Sequence, residues 1–311
     1  MRIVAALGGN ALLERGEAPD ATIQEHHILR AVAALAPLCR DHDVVVTHGN
    51  GPQVGLLALE SDADPALSRA YPLDVLGAQT QGMIGYWLAQ ALHNAVRTKT
   101  FAALVCQTVV GIDDPAFATP SKFVGQVYEQ ADAERLATER NWVVRQDGSK
   151  WRRVVPSPLP REIVEVSVIE RLLISGVGVI CCGGGGIPVV RDAAGQLQGI
   201  EAVIDKDRTA ALLAEQLSAD VLLLLTDVSA VEIEYGTAAA RAIRATSPAE
   251  LSRLKFPAGS MGPKIEAACS FVDATGHQAA IGRLEDAGAL LDGTKGTVVR
   301  RTVPHAPSTS R

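Results

Sequence analysis

Short, nearly continuous apolar runs alternate with segments of helical period along most of this chain. RIVAAL (Arg2–Leu7) precedes Gly8 and Gly9, and a helical pattern then puts Ile28, Ala31, Val32, Leu35 and Leu38 on one face. DVVVTH precedes Gly49, Asn50 and Gly51, and Pro52 suits a first helical position. From Asp74 to Val96, Ile84, Trp87, Leu88, Ala91 and Leu92 recur at helical spacing. TFAALVCQTVV, GVGVICC, DVLLLLT (Asp220 to Thr226) and QAAIG each read as a strand. Runs that are apolar at almost every position fit parallel strands covered on both faces. The alternation predicts an α/β fold with a largely parallel sheet.

One segment breaks the rhythm. From about Asp113 to Arg161 the apolar runs stop and charge rises. NWVVRQDGSKWRRVV holds two short strand patterns around Asp147-Gly148, a pair suited to a tight hairpin turn. The segment is an excursion from the main sheet, either a lid or an ordinary surface insertion, since both share this composition.

Composition narrows the class. A chain of 311 residues with 47% hydrophobic and 21% charged residues can bury a large core in one large or two moderate domains. The net charge of -6 argues against a nucleic-acid surface. No run reaches membrane-spanning length, and the N-terminus reads as a strand without the apolar core and cleavage site of a signal peptide. The five cysteines include no C-x-x-C pair, which fits a reduced, cytoplasmic protein. Cys181 and Cys182 read as small apolar strand residues rather than a redox device. The tail PHAPSTSR is expected to fray.

The glycines change the picture most. LGGNA, HGNGPQVG and CGGGGIP each follow an apolar strand. Ligands of an open parallel sheet bind beyond the carboxyl ends of its strands. Bare backbone there presents several N–H groups, and a following helix N-terminus adds partial positive charge, so an anion such as phosphate is the matching ligand. The spacing fits neither a P-loop nor the dinucleotide fingerprint, no Ser sits in a G-x-S-x-G elbow, and the histidines show no metal-ligand clustering. His48, beside the second glycine loop, reads as a hydrogen-bonded structural residue.

Three lysines stand at loop or helix-start positions: Lys206 in VIDKDRTAALLAEQL, Lys264 in GSMGPKIEAACSFV and Lys122 in ATPSKFVG. Asp207 is placed to cap the helix that follows it, and Asp205 and Asp207 flank the Lys206 ammonium. Phosphoryl transfer needs in-line positioning and neutralisation of oxygen charge, which glycine loops and a few lysines supply.

LGGNALL, THGNGPQVG, YPLDVLGAQTQGMIGYWL, CCGGGGIPVV, AVIDKDRTAALLAEQL, LLLTDVSAV, AGSMGPKIEAA and GTVV, in this order, resemble the carbamate kinases of the amino-acid-kinase fold over nearly the whole chain. Other members of that fold carry a lysine just before the first glycine pair. Here Ala5, Ala6 and Leu7 stand there, as in carbamate kinases, where the lysine corresponding to Lys206 takes over that charge.

The resemblance implies a three-layer α/β/α sandwich that forms a homodimer. It also implies phosphoryl transfer between ATP and carbamate with Mg²⁺, a reaction that can run toward ATP in the breakdown of arginine or other carbamoyl-yielding compounds. Residues up to about 200 form the carbamate or carbamoyl phosphate side, and those from about 201 the nucleotide side. By match to the motifs, Gly8, Gly9, Asn10, Gly49, Asn50 and Gly51 line the transferring group, and Gly183 and Gly184 let backbone crowd the reaction centre. Lys206 and Lys264 neutralise the phosphates, Asp207 orients the lysines, and Lys122 reaches in from the lid. Thr226, Asp227, Val228, Ser260 and Met261 border the nucleotide.

The sequence departs from the family pattern at Glu232, where tyrosine is usual, at Thr237 to Ala240, which replace a turn, and at Phe123, which replaces a proline. The first two bear on nucleotide affinity, not on phosphate chemistry. Two alternatives remain: a kinase of the same fold acting on another carboxylate or phosphonate, and a non-catalytic nucleotide or carbamoyl-phosphate sensor. The intact glycine loops and lysines weigh against both.

Overall fold

Val4 and Ala6 of the first strand pack into one apolar layer, and Ile3, Ala5 and Leu7 into another. This period-2 split explains why the run is apolar at successive positions: both faces of the strand are covered. The computed structural model describes residues 1–9, 12–14, 16–50, 53–256 and 261–302. Asn10, Gly51, Pro52, Ser260 and the tail lie outside the described residues.

The chain runs β1 (Arg2–Leu7), α1 (Ala21–Asp41), β2 (Asp43–His48), α2 (Gln53–Ala63), α3 (Leu73–Ala95), β3 (Phe101–Ala103) and β4 (Gln107–Val110). Then come β5 (Lys122–Tyr128), α4 (Gln130–Arg140), β6 (Val143–Asp147), β7 (Lys150–Val155), β8 (Pro160–Ile163) and α5 (Val166–Ile174). β9 (Gly178–Ile180), β10 (Ile187–Arg191), β11 (Leu197–Gly199), α6 (Lys206–Gln216), β12 (Val221–Thr226) and β13 (Val231–Ile233) follow. The remainder is β14 (Arg241–Ile243), β15 (Ala245–Thr246), α7 (Pro248–Leu251), α8 (Met261–Thr275), β16 (Gln278–Arg283), α9 (Ala287–Leu291) and β17 (Thr297–Val299).

The main sheet has eight strands in the order β15-β17-β16-β12-β1-β2-β9-β3, parallel except between β16 and β17. One face carries a core with Leu173 of α5, Leu213 of α6 and Phe271 of α8; the other carries Ile28 and Leu35 of α1, Ile84 and Leu88 of α3 and Leu290 of α9. The result is the expected three-layer α/β/α sandwich. The Asp74–Val96 pattern is a core helix, its buried side formed by Leu76, Thr80, Ile84, Leu88 and Leu92. No helix among the described residues is long and apolar enough to cross a membrane.

Register places the site. Leu7 stands opposite Leu225 on one side and His48 on the other, so β1, β2 and β12 end level. The chain leaves β1 toward β2 on one side and later fills β12 and β16 on the other. This reversal of strand order opens a crevice at the carboxyl ends, where the glycine loops emerge.

Two strand assignments are corrected. TFAALVCQTVV is two strands in two sheets: β3 pairs with β9, whereas β4 joins a second sheet ordered β11-β10-β4-β8. The break has a local cause. Gln81 of α3 clasps the Cys106 backbone, its amide N–H donating to the Cys106 carbonyl at 3.1 Å and its carbonyl accepting the Cys106 N–H at 2.9 Å. Cys181 and Cys182 lie beyond the end of β9 rather than in it, and Cys182 is left-handed at φ 51°, ψ 34°.

The charged excursion is a separate three-stranded antiparallel sheet, β5-β7-β6, with α4 against it. The expected hairpin forms, but its two-residue turn is Gly148-Ser149, since Asp147 still pairs with Lys150, and Gly148 takes φ +65°. Val124 and Val155 of this sheet share a small core with Val54 of α2 and Leu73 and Leu76 of α3. A side chain at Gly55 would put its Cβ 2.4 Å from the Gly125 Cα, so α2 and the excursion meet backbone to backbone. Gly55→Ala is therefore expected to pry the excursion off α2. Amide hydrogen exchange should rise across residues 122–155 and stay unchanged in β1 and β12. Unaltered exchange in 122–155 would mean that the contact does not hold the segment down.

Candidate active site

Gly8 follows β1 and donates its N–H to the Leu225 carbonyl at 2.9 Å. A Cβ on Gly8 would meet that same oxygen at 2.9 Å, so only glycine keeps this loop so close to the end of β12. After β2, the His48 Nδ1–H donates to the Gly49 carbonyl at 2.8 Å and sets the second loop. A Cβ on Gly49 would lie 3.4 Å from the Lys206 stem and 3.5 Å from the Gly9 Cα, which brings both loops and the lysine to one point.

The four-glycine run presses on all of this. A Cβ on Gly183 would fall 2.3 Å from the His48 ring, and one on Gly184 2.0 Å from the Asn50 side chain, which accepts from the Thr80 hydroxyl at 3.0 Å. Gly184, Gly185 and Gly186 all have positive φ. The Gly185 carbonyl accepts from the Thr108 hydroxyl at 3.0 Å and the Thr209 hydroxyl at 2.9 Å, tying the run to β4 and α6. The glycines serve close packing of backbone around a centre as much as freedom of φ.

The charges follow a different arrangement from the one the sequence predicts. The cap of α6 is Asp205, not Asp207: one Asp205 oxygen accepts the N–H groups of Asp207 and Arg208. Its other oxygen accepts from Lys122 Nζ at 2.7 Å, so the excursion delivers Lys122 to the carboxylate before α6. Asp207 lies inside the first turn, and its two oxygens accept from Lys206 at 2.7 Å and Lys264 at 2.9 Å. Sequence proximity favours Asp207 as a cap, but a residue already inside the helix cannot cap it, whereas one just outside can.

Three ammonium groups and two carboxylates leave one net positive charge in this cluster. Burial opposes ionisation of Asp207, yet Lys206 and Lys264 outweigh it and hold its carboxyl below the usual range. Burial likewise opposes ionisation of Asp205, and Lys122 and Lys206 reverse that. The two lysines on Asp207 diverge. Desolvation works against both, but Asp207 and Asp205 together raise Lys206, whereas Lys264 is lowered because it also faces Lys206. Lys264 is thus a cation short of counter-charge, and an arriving anion supplies it.

Lys264 and the first glycine loop, at Gly8 and Gly9, open onto a pocket of about 1130 Å³. Its wall includes Gly8 and Gly9 and, of the residues matched to a nucleotide border, Thr226, Asp227, Val228 and Met261. Thr226 donates its hydroxyl to Asp227 at 3.0 Å. Glu232, the departure from the family pattern, faces the same pocket, as do Tyr235 and Phe256. Sequence reading missed Tyr235, Phe256, Thr108, Thr209 and Asp205 as the anchor of Lys122. Of these only Asp205 had a local signal, an Asp immediately before a helical pattern.

His48 is buried and neutral: desolvation lowers its pKa to about 4, against the hydrogen bond to Gly49. The unfolded chain takes up this proton near pH 6.5 and the folded one only near 4, so the unfolded state binds more protons in between. The stability that His48 contributes is complete above pH 6.5 and is lost as pH falls toward 4, a change of about 3 kcal/mol. Urea denaturation at pH 7 and pH 4.5 should show a steeper acid loss for the native chain than for His48→Gln. Equal slopes would mean that the imidazole is not desolvated in the fold.

The chain matches the amino acid kinase family over residues 1–283. It is 52% identical to a carbamate kinase of Rhizobium meliloti, across 96% of this chain and 93% of that one. A carbamate kinase of Haemophilus influenzae is 50% identical across 97% of both chains. Among solved structures, a carbamate kinase from Giardia lamblia bound to AMP-PNP superposes with a TM-score of 0.88 at 40% identity, covering 96% of this chain and 98% of that one.

Proposed function

The chain belongs to the amino acid kinase family, and from that premise we propose that its cleft transfers a phosphoryl group between ATP and carbamate, giving ADP and carbamoyl phosphate. Full-length carbamate kinase relatives at 44–52% identity support this activity over that of another small-molecule kinase of the same fold. The observation that carries it is Asp207 holding Lys206, beside the second glycine loop, together with Lys264, which lines the large pocket with Gly8 and Gly9.

The roles follow from that geometry. ATP or ADP occupies the pocket, with its base toward Tyr235 and Phe256 and its phosphates toward Lys264. The carbamoyl group sits at Gly9, Gly49 and Asn50. Lys206, held beside Gly49, reaches the phosphoryl group in flight between the two ligands. Lys122 on Asp205 closes the site from the excursion, which acts as the lid. Asn10, Gly51 and Ser260 belong to the same loops by sequence.

Mg²⁺ is expected to enter on the nucleotide phosphates and share their charge. Both Asp207 oxygens already accept from lysines, and Asp205 accepts from Lys122 and two backbone N–H groups. The residues therefore fit an ion held mainly by phosphate oxygens and water, with the pocket-wall carboxylates, Asp227 and Glu232 among them, facing the same cavity.

We read the assembly as a cytoplasmic homodimer serving the breakdown of arginine or another carbamoyl-yielding compound. Sedimentation at low micromolar concentration should give twice the 32.7 kDa chain mass, and a monomer alone would reject the dimer. The activity is tested by ATP formation from ADP and carbamoyl phosphate in a coupled spectrophotometric assay. Nucleotide binding without turnover would leave a sensor instead.

A further inference from the structure

Cys106, Cys181 and Cys182 come together from two separate stretches of chain, and their sulfurs all lie within 4.8 Å of one another. All three residues are at most 1% exposed and sit in the apolar layer with Ile163, Ile169 and Leu173. The phosphoryl-transfer reading uses none of these thiols. Cys182 holds a left-handed backbone at φ 51°, a conformation costly for any residue with a Cβ, where glycine would be the ordinary choice. We propose that these cysteines form a buried three-sulfur site for a trivalent thiophilic metalloid, of which arsenite is the simplest form.

Geometry and charge select that class. Bonds of roughly 2.3 Å from a central ion to thiolates put the sulfurs of a three-coordinate site within about 4 Å of one another, and sulfurs already within 4.8 Å are placed to meet that spacing. Structural zinc takes four ligands, and among the described residues the cluster offers three. Three thiolates also leave a net charge of minus one on a divalent ion and minus two on a monovalent one. That excess is costly in an apolar layer, and Glu165, whose carboxyl is already raised by burial and by its neighbour Cys106, makes it worse. A trivalent centre leaves none. The exchange balances without a redox partner: arsenous acid loses three As–O bonds, three S–H protons leave with those oxygens as three waters, and three As–S bonds form.

Occupancy bears on the active loop. Cys182 directly precedes Gly183, and that run is wedged against His48, Asn50 and the Ile204 carbonyl with no slack. Bonding all three sulfurs to one centre therefore fixes Cys182 and, through it, the place of Gly183 to Gly186, and is expected to lower phosphoryl transfer. Only this inhibitory consequence rests on the proposed function; binding itself does not.

The test incubates the intact, reduced protein with arsenite until uptake is constant, then removes excess and measures arsenic per chain and its X-ray absorption. The expected result is one arsenic per chain with three sulfur neighbours and no oxygen. Uptake should vanish in Cys181→Ala and in Cys106→Ala, and persist in a Cys39→Ser, Cys269→Ser double variant. Turnover of the native chain should fall in step with occupancy, while Cys181→Ala keeps its turnover in arsenite. No retained arsenic, or arsenic with two sulfurs and an oxygen, would overturn the proposal on the unaltered chain, whatever the folding of the variants. Uptake lost only in the double variant would overturn it too.

Discussion

Lys206→Met is expected to lower kcat by roughly a hundredfold or more, the scale for removing one preorganised electrostatic partner. Lys206 is half-buried, bound to Asp207 at 2.7 Å, and its stem rests near Gly49. Methionine keeps most of the stem and removes the charge. The fold should tolerate the change, because Asp207 keeps Lys264 at 2.9 Å and Lys264 loses a repulsive neighbour. Affinity for ADP should fall less than kcat, since Lys264 and the backbone donors remain at the pocket. Lys206→Arg should rescue only in part, as a planar fork does not replace a compact ammonium between two glycine loops. Melting temperature and kcat measured on one preparation decide the matter. Near-normal kcat with a lower melting temperature would reduce Lys206 to an anchor of α6.

Gly184→Ala is expected to cost both stability and catalysis, and a matched control separates the two. Gly184 and Gly148 share the same φ of +65°, so alanine at either meets a similar backbone strain of roughly 1–2 kcal/mol. At Gly148, in the hairpin turn of the excursion, the new methyl group meets nothing within 4 Å. At Gly184 it would lie 2.0 Å from the Asn50 side chain, which must leave the place where Thr80 holds it. Gly148→Ala should therefore lower the melting temperature with kcat/KM kept. Gly184→Ala should lower both, with kcat/KM down about tenfold or more, equivalent to about 1.4 kcal/mol of transition-state stabilisation. Equal catalytic losses in the two variants would assign the effect to strain alone and remove Asn50 from the site.

Much of this was legible in the chain itself. Apolar runs such as Val221 to Leu225 mark strands covered on both faces, because a parallel sheet between two helical layers leaves no polar face. The glycine clusters mark strand ends at which a ligand approaches backbone, and level strand ends put them on one edge. The charged stretch before Arg161 marks an excursion, since it has too little apolar surface to join the main sheet. Order of motifs along the chain was enough to identify the chemistry, as each element carries its signal within a few residues.

What tertiary structure alone decided is who meets whom. Lys122 finds Asp205 across 83 positions of sequence, and Lys264 finds Asp207 across 57, by side chains converging from the excursion and from α8 on the start of α6. Nothing local to Asp207 shows that it binds two lysines instead of capping a helix. The clasp of Gln81 on Cys106 splits one apparent strand into two, because a pair of side-chain hydrogen bonds outweighs apolar periodicity at that point. The three thiols meet for the same reason: that split carries Cys106 under the end of β9, beside Cys181 and Cys182. Periodicity and propensity act within a few residues and are written in the sequence, whereas charge pairing and sulfur contact depend on distances that exist only after the layers have packed.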